Sequence, residues 1–382
     1  MNIELLDFHN FGTSDRLWFH PAVTVLADGR WLATMQKING SDHYSNPVFA
    51  LSADRGASWT PPAEIPAFRS RALPGTPFTE GVADVRCFTM PDGTAAAFGC
   101  TAFYTGKGCA AWDSQTNGKQ PPGRPVCAVW SPENGTWSER QTLELPGVEL
   151  TYRTACTQAV LPGDDRIILP IYLDTGAMCD YFGNKAPRFA SLTAVFRKRG
   201  TVFEYVAQSN LLEIFVLRGC IEPSAVRLAD GSYAITLRAE DGCMYRALSD
   251  DALAWRDLRP WRWDDGNAIE TDSTQQHWLT LGGKVFLVYT RRDGNNDKIM
   301  RFRAPLCIAE ADVQRAVLIR ASEKVVFPRR NINGVEVLYG NFHCTQLDGG
   351  RALVTDSALY TEVSGDVMHN TSTTVMAALV TP

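Results

Sequence analysis

The chain has no Cys-x-x-Cys pair, no run of Lys and Arg, no long helical period and no apolar stretch long enough to cross a bilayer. Each absence removes a class of answer. Its ten cysteines are scattered, as at Cys87, Cys100, Cys109, Cys127 and Cys156. That reads as buried free thiols in a reducing compartment rather than a disulfide framework or a zinc pattern, so no metal and no cofactor is expected. A formal net charge of −5, from 37 basic and 42 acidic residues, argues against nucleic acid or an anionic membrane surface as partner. A Walker loop and a dinucleotide fingerprint are also missing. Met1 to Leu5 lack the basic-then-apolar pattern of a secretory leader, so a cytoplasmic protein is expected, of open oligomeric state.

What the chain does have is a repeat. Its 382 residues are 45% hydrophobic with 30 Gly and 21 Pro, which suits an all-β protein. Six copies of one pattern run through it, each an apolar run reaching a Leu or Met, then an acidic or Gly turn, then a second apolar run. They begin at Pro21, Asp84, Ala155, Glu222, Ser273 and Asn341. Alternating apolar strands meeting at Asp-Gly signal hairpins, and recurrence every several tens of residues signals a propeller. The expectation is one domain over residues 1–382, a six-bladed β-propeller. Two insertions, Phe103 to Arg124 and Asp174 to Arg188, are expected as loops framing a cleft.

In a propeller the first strand of each blade lines the channel, so equivalent positions gather at one end of the axis. Six residues before the turn of each repeat stand His20, Asp84, Ala155, Glu222, Gln275 and Asn341, nearly all polar. Strands of this kind otherwise bury apolar side chains, so such a ring points to a site. Two residues earlier stand Trp18, Val82, Arg153, Cys220, Ser273 and Tyr339, which would add a stacking surface, a cation and a phenol.

One motif is local. Ser52-Ala53-Asp54-Arg55-Gly56-Ala57-Ser58-Trp59 places an Asp able to accept the turn's N–H groups, a Gly suited to positive φ, and a Trp able to cover the next strand. It decays at Ser131 to Trp137 and at Ser249 to Trp255. The motif resembles the Asp-box of sialidase-like propellers. Glu222 and Arg238, in EPSAVRLADGSYAITLR, are similar to the family's strand-opening Glu and strand-closing Arg. By this resemblance Glu222 would draw the proton from a nucleophilic Tyr, expected at Tyr339, and Arg238 would join a three-arginine clamp on a substrate carboxylate. Arg301 is favoured as another clamp arginine, and Asp42 lines up with the family's acid/base. The first clamp arginine falls on Phe19, beside His20. Arg16, Arg153 or His20 would have to stand in for it.

Three functions follow as expectations. The first is a sialidase-like exo-glycosidase releasing an acidic sugar, with Asp42, Glu222 and Tyr339 as chemistry and Arg238, Arg301 and Arg153 as anion binders. Asp84, Gln275, Trp18, His43 and His343 would complete its substrate contacts, and the partner would be an oligosaccharide. The second is a polysaccharide lyase on uronates, using His20, His43, Tyr44 or Tyr339 with Arg153 or Arg238. The third is a non-catalytic glycan-binding propeller. His277, beside Trp278 within a strand, reads as a core histidine, and the stretch from Arg303 to Glu310 as a structural outer strand.

Overall fold

The computed structural model describes residues 1–14, 17–40, 42–181, 183–332, 334–364 and 367–382. The repeat is visible first in its turns. Leu26 N–H donates to Arg30 O at 2.8 Å and Gly29 N–H to Leu26 O at 2.9 Å. Met90 with Thr94 and Gly93, and Leu228 with Ser232 and Gly231, repeat those two bonds at 2.8 to 3.0 Å. In each turn an aspartate, Asp28, Asp92 or Asp230, accepts the N–H two residues on. Gly29, Gly93 and Gly231 have φ of 85°, 84° and 90°, which a side chain would resist.

These hairpins build successive antiparallel sheets around one axis. The first contains Trp18–Val25, Trp31–Gly40, Val48–Ser52 and Ala63–Glu64. The next is built on Thr79–Thr89, Ala95–Thr105 and Pro125–Ser131, and the one after on Arg166–Tyr181, Asn184–Arg199 and Val202–Gln208. Ile221–Arg227, Tyr233–Arg238, Met244–Ser249 and Arg256–Pro260 follow, then a sheet on His277–Leu281, Lys284–Tyr289 and Leu306–Asp312. The ring closes where His343–Gln346, Ala352–Ser364 and Val367–Thr381 take the N-terminal strand Asn2–Leu6 as their fourth member. Apolar clusters fill the space between neighbouring sheets. Phe98, Val129, Leu169 and Phe196 form one such cluster, and Ile235, Val195 and Trp255 belong to another.

The architecture is an all-β β-propeller, as expected, but its sheets are not six like copies of one blade as the repeat implied. Sheets hold from four to seven strands, and a separate two-stranded ladder joins Asn331–Ile332 to Val335–Glu336. The stretch from Ala155 to Leu161 is not a regular strand; its ladder pairing is limited to isolated bridges at Gln158 and Val160. Here Thr157 Oγ1 donates to Thr154 O at 2.8 Å, so side chains compete with the ladder for its backbone. The insertion expected as a loop from Asp174 to Arg188 is mostly a hairpin extension, paired from Met178↔Pro187 to Tyr181↔Asn184.

Candidate active site

Inner strands deliver their polar side chains through bulges. His20, Asp84, Cys156, Glu222 and Ser273 all have positive φ, between 48° and 52°. Non-glycine residues seldom adopt this conformation, and such strain concentrates where a side chain is aimed at a site. The ladder register shifts beside three of them, between Phe19 and Ala22, Ala83 and Arg86, and Ile221 and Ser224. A bulge frees backbone groups that need partners. For Asp84 the freed N–H donates to the buried Gln36 Oε1 at 2.7 Å.

Glu222 and Arg238 meet, with Arg238 Nη1 donating to Glu222 Oε1 at 2.5 Å. Arg238 Nε donates to Ser273 Oγ at 2.9 Å, and that hydroxyl donates to Glu240 Oε1 at 3.0 Å. Arg218 pairs with Glu240 and stacks over the Tyr181 ring at 4.1 Å. Arg301 Nη2 donates to the Tyr181 hydroxyl at 2.6 Å, so the hairpin extension supplies a wall of the site.

Arg303 is the residue that sequence reasoning placed elsewhere, at the start of a structural strand. Its side chain lies against Gly340, where an added Cβ would come within 3.1 Å of Arg303 Nε. That Nε is buried and makes no hydrogen bond. Burial, followed by the charges of Arg301 and Arg238, lowers its pKa to about 10. Arg301 is lowered by the same causes, burial first and then Arg238. The signal that could have found Arg303 is its alternation with Arg301 along the chain.

On the opposite side Asp42 is exposed and oriented by two donors, Trp112 Nε1 at 2.8 Å and the Tyr44 hydroxyl at 3.1 Å. Trp112 comes from the insertion after Phe103, which reaches the site as expected of a framing loop. The Tyr44 ring lies 5.3 Å from the His20 ring, linking Asp42 to the channel. Burial, then Asp42, raises the Tyr44 phenol well above its usual value. His43 packs on Tyr104 at 4.9 Å and is lowered by burial. Arg153 stands across a ladder from Tyr172. Burial, followed by Arg153 and Glu222, perturbs the Tyr172 phenol, with a net rise well above the usual value.

Below these groups His20, Asp84 and His343 form a buried cluster. Asp84 Oδ1 is 3.4 Å from His20 Nδ1 and 3.1 Å from His343 Nε2. The two imidazoles and the Cys156 N–H hold the Asp84 carboxyl far below its usual range despite burial. Burial, then Arg86, lowers His343 to about 4.

Several expected site residues lie apart. The Tyr339 hydroxyl donates to Pro328 O at 2.9 Å and its ring packs on Phe327, so it does not meet the Glu222 carboxylate. Trp18 is 5% exposed in the core between the first and last sheets, with Nε1 donating to Thr13, and offers no face to a sugar. Gln275 is fully buried, donating to Phe342 O at 2.5 Å. His277, held by Ser224 Oγ at 2.8 Å, is buried as expected of a core histidine. Cys156 and Ser273 take the positive-φ positions that the spacing gave to Ala155 and Gln275. Arg16 lies outside the described residues.

A sequence profile of the BNR repeat-like domain matches residues 101–324, more than half of the chain. No curated protein matches by sequence. Among solved structures the chain is similar to a protein of unknown function from Dyadobacter fermentans, at 15% identity and TM-score 0.62, covering 99% of this chain and 97% of that one. It is similar to the NanB sialidase of Streptococcus pneumoniae, at 13% identity and TM-score 0.65, over 97% and 69% of the two chains. The intramolecular trans-sialidase of Ruminococcus gnavus is a further neighbour, at 12% identity and TM-score 0.62, over 97% and 95%. Identities this low carry the fold alone.

Proposed function

The chain belongs to the BNR repeat-like domain family, and on that premise we propose that it is a sialidase-like exo-glycosidase releasing an acidic sugar from a glycan. The observation that carries the reading is a cluster of guanidinium groups close to one another. Arg238, Arg301 and Arg303 act on one another electrostatically, while Glu222 is the carboxylate paired with Arg238. Packed like charges of this kind are stabilised by an anion, and a guanidinium fork suits a carboxylate. Ligands named for the similar structures are of that type, an ethanesulfonate in the Streptococcus pneumoniae sialidase and oseltamivir carboxylate in the Ruminococcus gnavus enzyme.

Asp42 protonates the leaving oxygen, since it is exposed at the rim and oriented by Trp112 and Tyr44. Glu222 acts as base on a phenol. Tyr172 takes this role in place of Tyr339, because it stands across the ladder from Arg153 while the Tyr339 hydroxyl is committed to Pro328 O. Glu222 would remove its proton as the phenol attacks the anomeric carbon, with Arg153 offsetting the phenolate charge. The protein is read as one domain over residues 1–382 with an oligosaccharide as its partner.

The test is hydrolysis of aryl glycosides of sialic acids, uronic acids and neutral hexoses. Release from an acidic glycoside is expected. Asp42→Ala should impair natural glycans far more than aryl glycosides with good leaving groups, and Tyr172→Phe should abolish turnover while Tyr339→Phe retains it. Arg303→Met should raise KM at least about tenfold, the loss of one charge-assisted contact of roughly 1.5–3 kcal/mol. Neutral sugars alone as substrates would sink the reading.

A lyase is the second reading. It is favoured by His20, whose ring nitrogens make no hydrogen bond and whose ring lies beside Tyr44. An unsaturated, ultraviolet-absorbing product from uronate glycans would establish it.

A further inference from the structure

The deep cluster beneath the arginines has a composition that sugar chemistry does not require. His20, Asp84 and Cys156 each contribute one donor atom, and these atoms all lie within 4.8 Å of one another. We propose that this nitrogen, oxygen and sulfur set is a binding site for one divalent transition cation of borderline softness, Zn²⁺ in the first place. The inference stands on the cluster alone and does not depend on the glycosidase reading.

Three observations carry it. Each donor sits on a residue of positive φ, 51°, 52° and 52°, two of them at ladder bulges, so backbone strain is used three times to aim them at one point. Their residues are 3%, 2% and 8% exposed, yet neither ring nitrogen of His20 nor Asp84 Oδ1 makes a hydrogen bond. Buried polar atoms left in this state are costly, and a coordinated cation would engage one ring nitrogen of His20 and one oxygen of Asp84, whose other contacts are the ion pairs with His20 and His343. Asp84 is also held from behind, its Oδ2 accepting the Cys156 N–H while His343 Nε2 stands 3.1 Å from Oδ1. Outer partners of this kind orient ligating carboxylates.

The charge balance is consistent with a divalent ion. Binding replaces the Cys156 thiol proton, which leaves to solvent, so thiolate and carboxylate together neutralise two positive charges. Arg86 opposes the cation, being buried near Asp84, and Glu222 favours it. Histidine, carboxylate and thiolate are all ordinary zinc ligands, and three protein ligands leave a fourth position. The spacing hides this site from sequence inspection. Residues 20, 84 and 156 match no metal motif because each ligand comes from a different sheet.

The test is metal analysis of the full chain purified from medium containing Zn²⁺ or Co²⁺, and after chelation and readdition. About one equivalent is expected, and the Co²⁺ form should show a thiolate-to-metal charge-transfer band. Cys156→Ser should remove that band, and His20→Gln should weaken Co²⁺ binding at least tenfold, with melting profiles confirming that each variant folds. Should Cys156→Ser fail to fold, His20→Gln and Asp84→Asn carry the test. Absence of stoichiometric metal in both preparations, a band that survives Cys156→Ser, or binding unchanged in a folded His20→Gln would overturn the assignment.

Discussion

Asp356 shows what one buried carboxyl does where positive charge is concentrated. It accepts N–H bonds from Gly340 at 3.1 Å and Ser357 at 2.7 Å, and Arg303 draws its pKa down, yet burial outweighs them and raises it to about 7. The consequence for stability has a definite sign. Between the unfolded value of 3.8 and about 7, the folded carboxyl keeps a proton that the unfolded chain gives up, so its contribution to stability falls as pH rises through that window. His343, lowered to about 4, acts in the opposite direction between there and its usual 6.5, because the unfolded chain binds the extra proton. The two partly cancel in the wild-type profile, and a difference measurement separates them. Asp356→Asn should match the wild-type urea midpoint most closely near pH 4 and gain on it progressively up to about pH 7, then run parallel. A difference that stays flat across the window would show that the carboxyl ionises normally.

At the scale of elements, the turns are where the chain declares itself. In the Ser52 to Trp59 turn, Asp54 accepts from Ser58 N at 2.8 Å and Ser58 Oγ at 2.5 Å, while Ser52 Oγ accepts from Gly56 N at 2.8 Å. These bonds hold the Asp54 carboxyl down to about 2 and seat Trp59 against Phe8 and Phe11, each at 5.1 Å between ring centroids. Asp54→Ala should therefore lower the melting temperature by a few degrees and leave kcat unchanged, since the turn lies in the outer part of its sheet. A change in kcat at constant stability would show that the turn also shapes the site. Asp251 accepts from Leu253 and Ala254 in the decayed copy, so the logic survives where the letters do not. Turns and the Glu222–Arg238 hairpin were legible in the sequence because their partners are neighbours in the chain. The bulges were not, because what fixes them is distant: the Asp84 N–H is caught by Gln36 of the adjoining sheet. A bulge or a one-residue slip turns a side chain to the other face, so spacing counted along the repeat does not fix which side chains reach the site.

The propeller as a whole is closed by its first strand, and the closure bears on function. Asn2–Leu6 pairs with Val367–Thr381 from Asn2↔Thr381 to Leu6↔Ala377, and Ile3 and Leu6 pack into the apolar clusters on either side. The first and last sheets meet along a seam stitched by Thr345 Oγ1 donating to Val23 O at 2.6 Å and by a bond from Thr355 Oγ1 to Pro21 O. His20 and His343 face each other across that seam, their rings 6.1 Å apart, so the deep cluster is shared between the two ends of the chain. Deleting residues 1–6 would leave Val367–Thr381 as an open edge, which is both a weak point for unfolding and a template for pairing with another copy. The expected outcome is a lower melting temperature, self-association by light scattering, and loss of turnover and metal uptake at temperatures where circular dichroism still reports β-structure. Because each sheet packs chiefly on its neighbours, opening the seam should disturb the adjoining sheets first. A truncated chain with unchanged melting and unchanged activity would mean that the packing between sheets, not the closing strand, holds the two histidines in place.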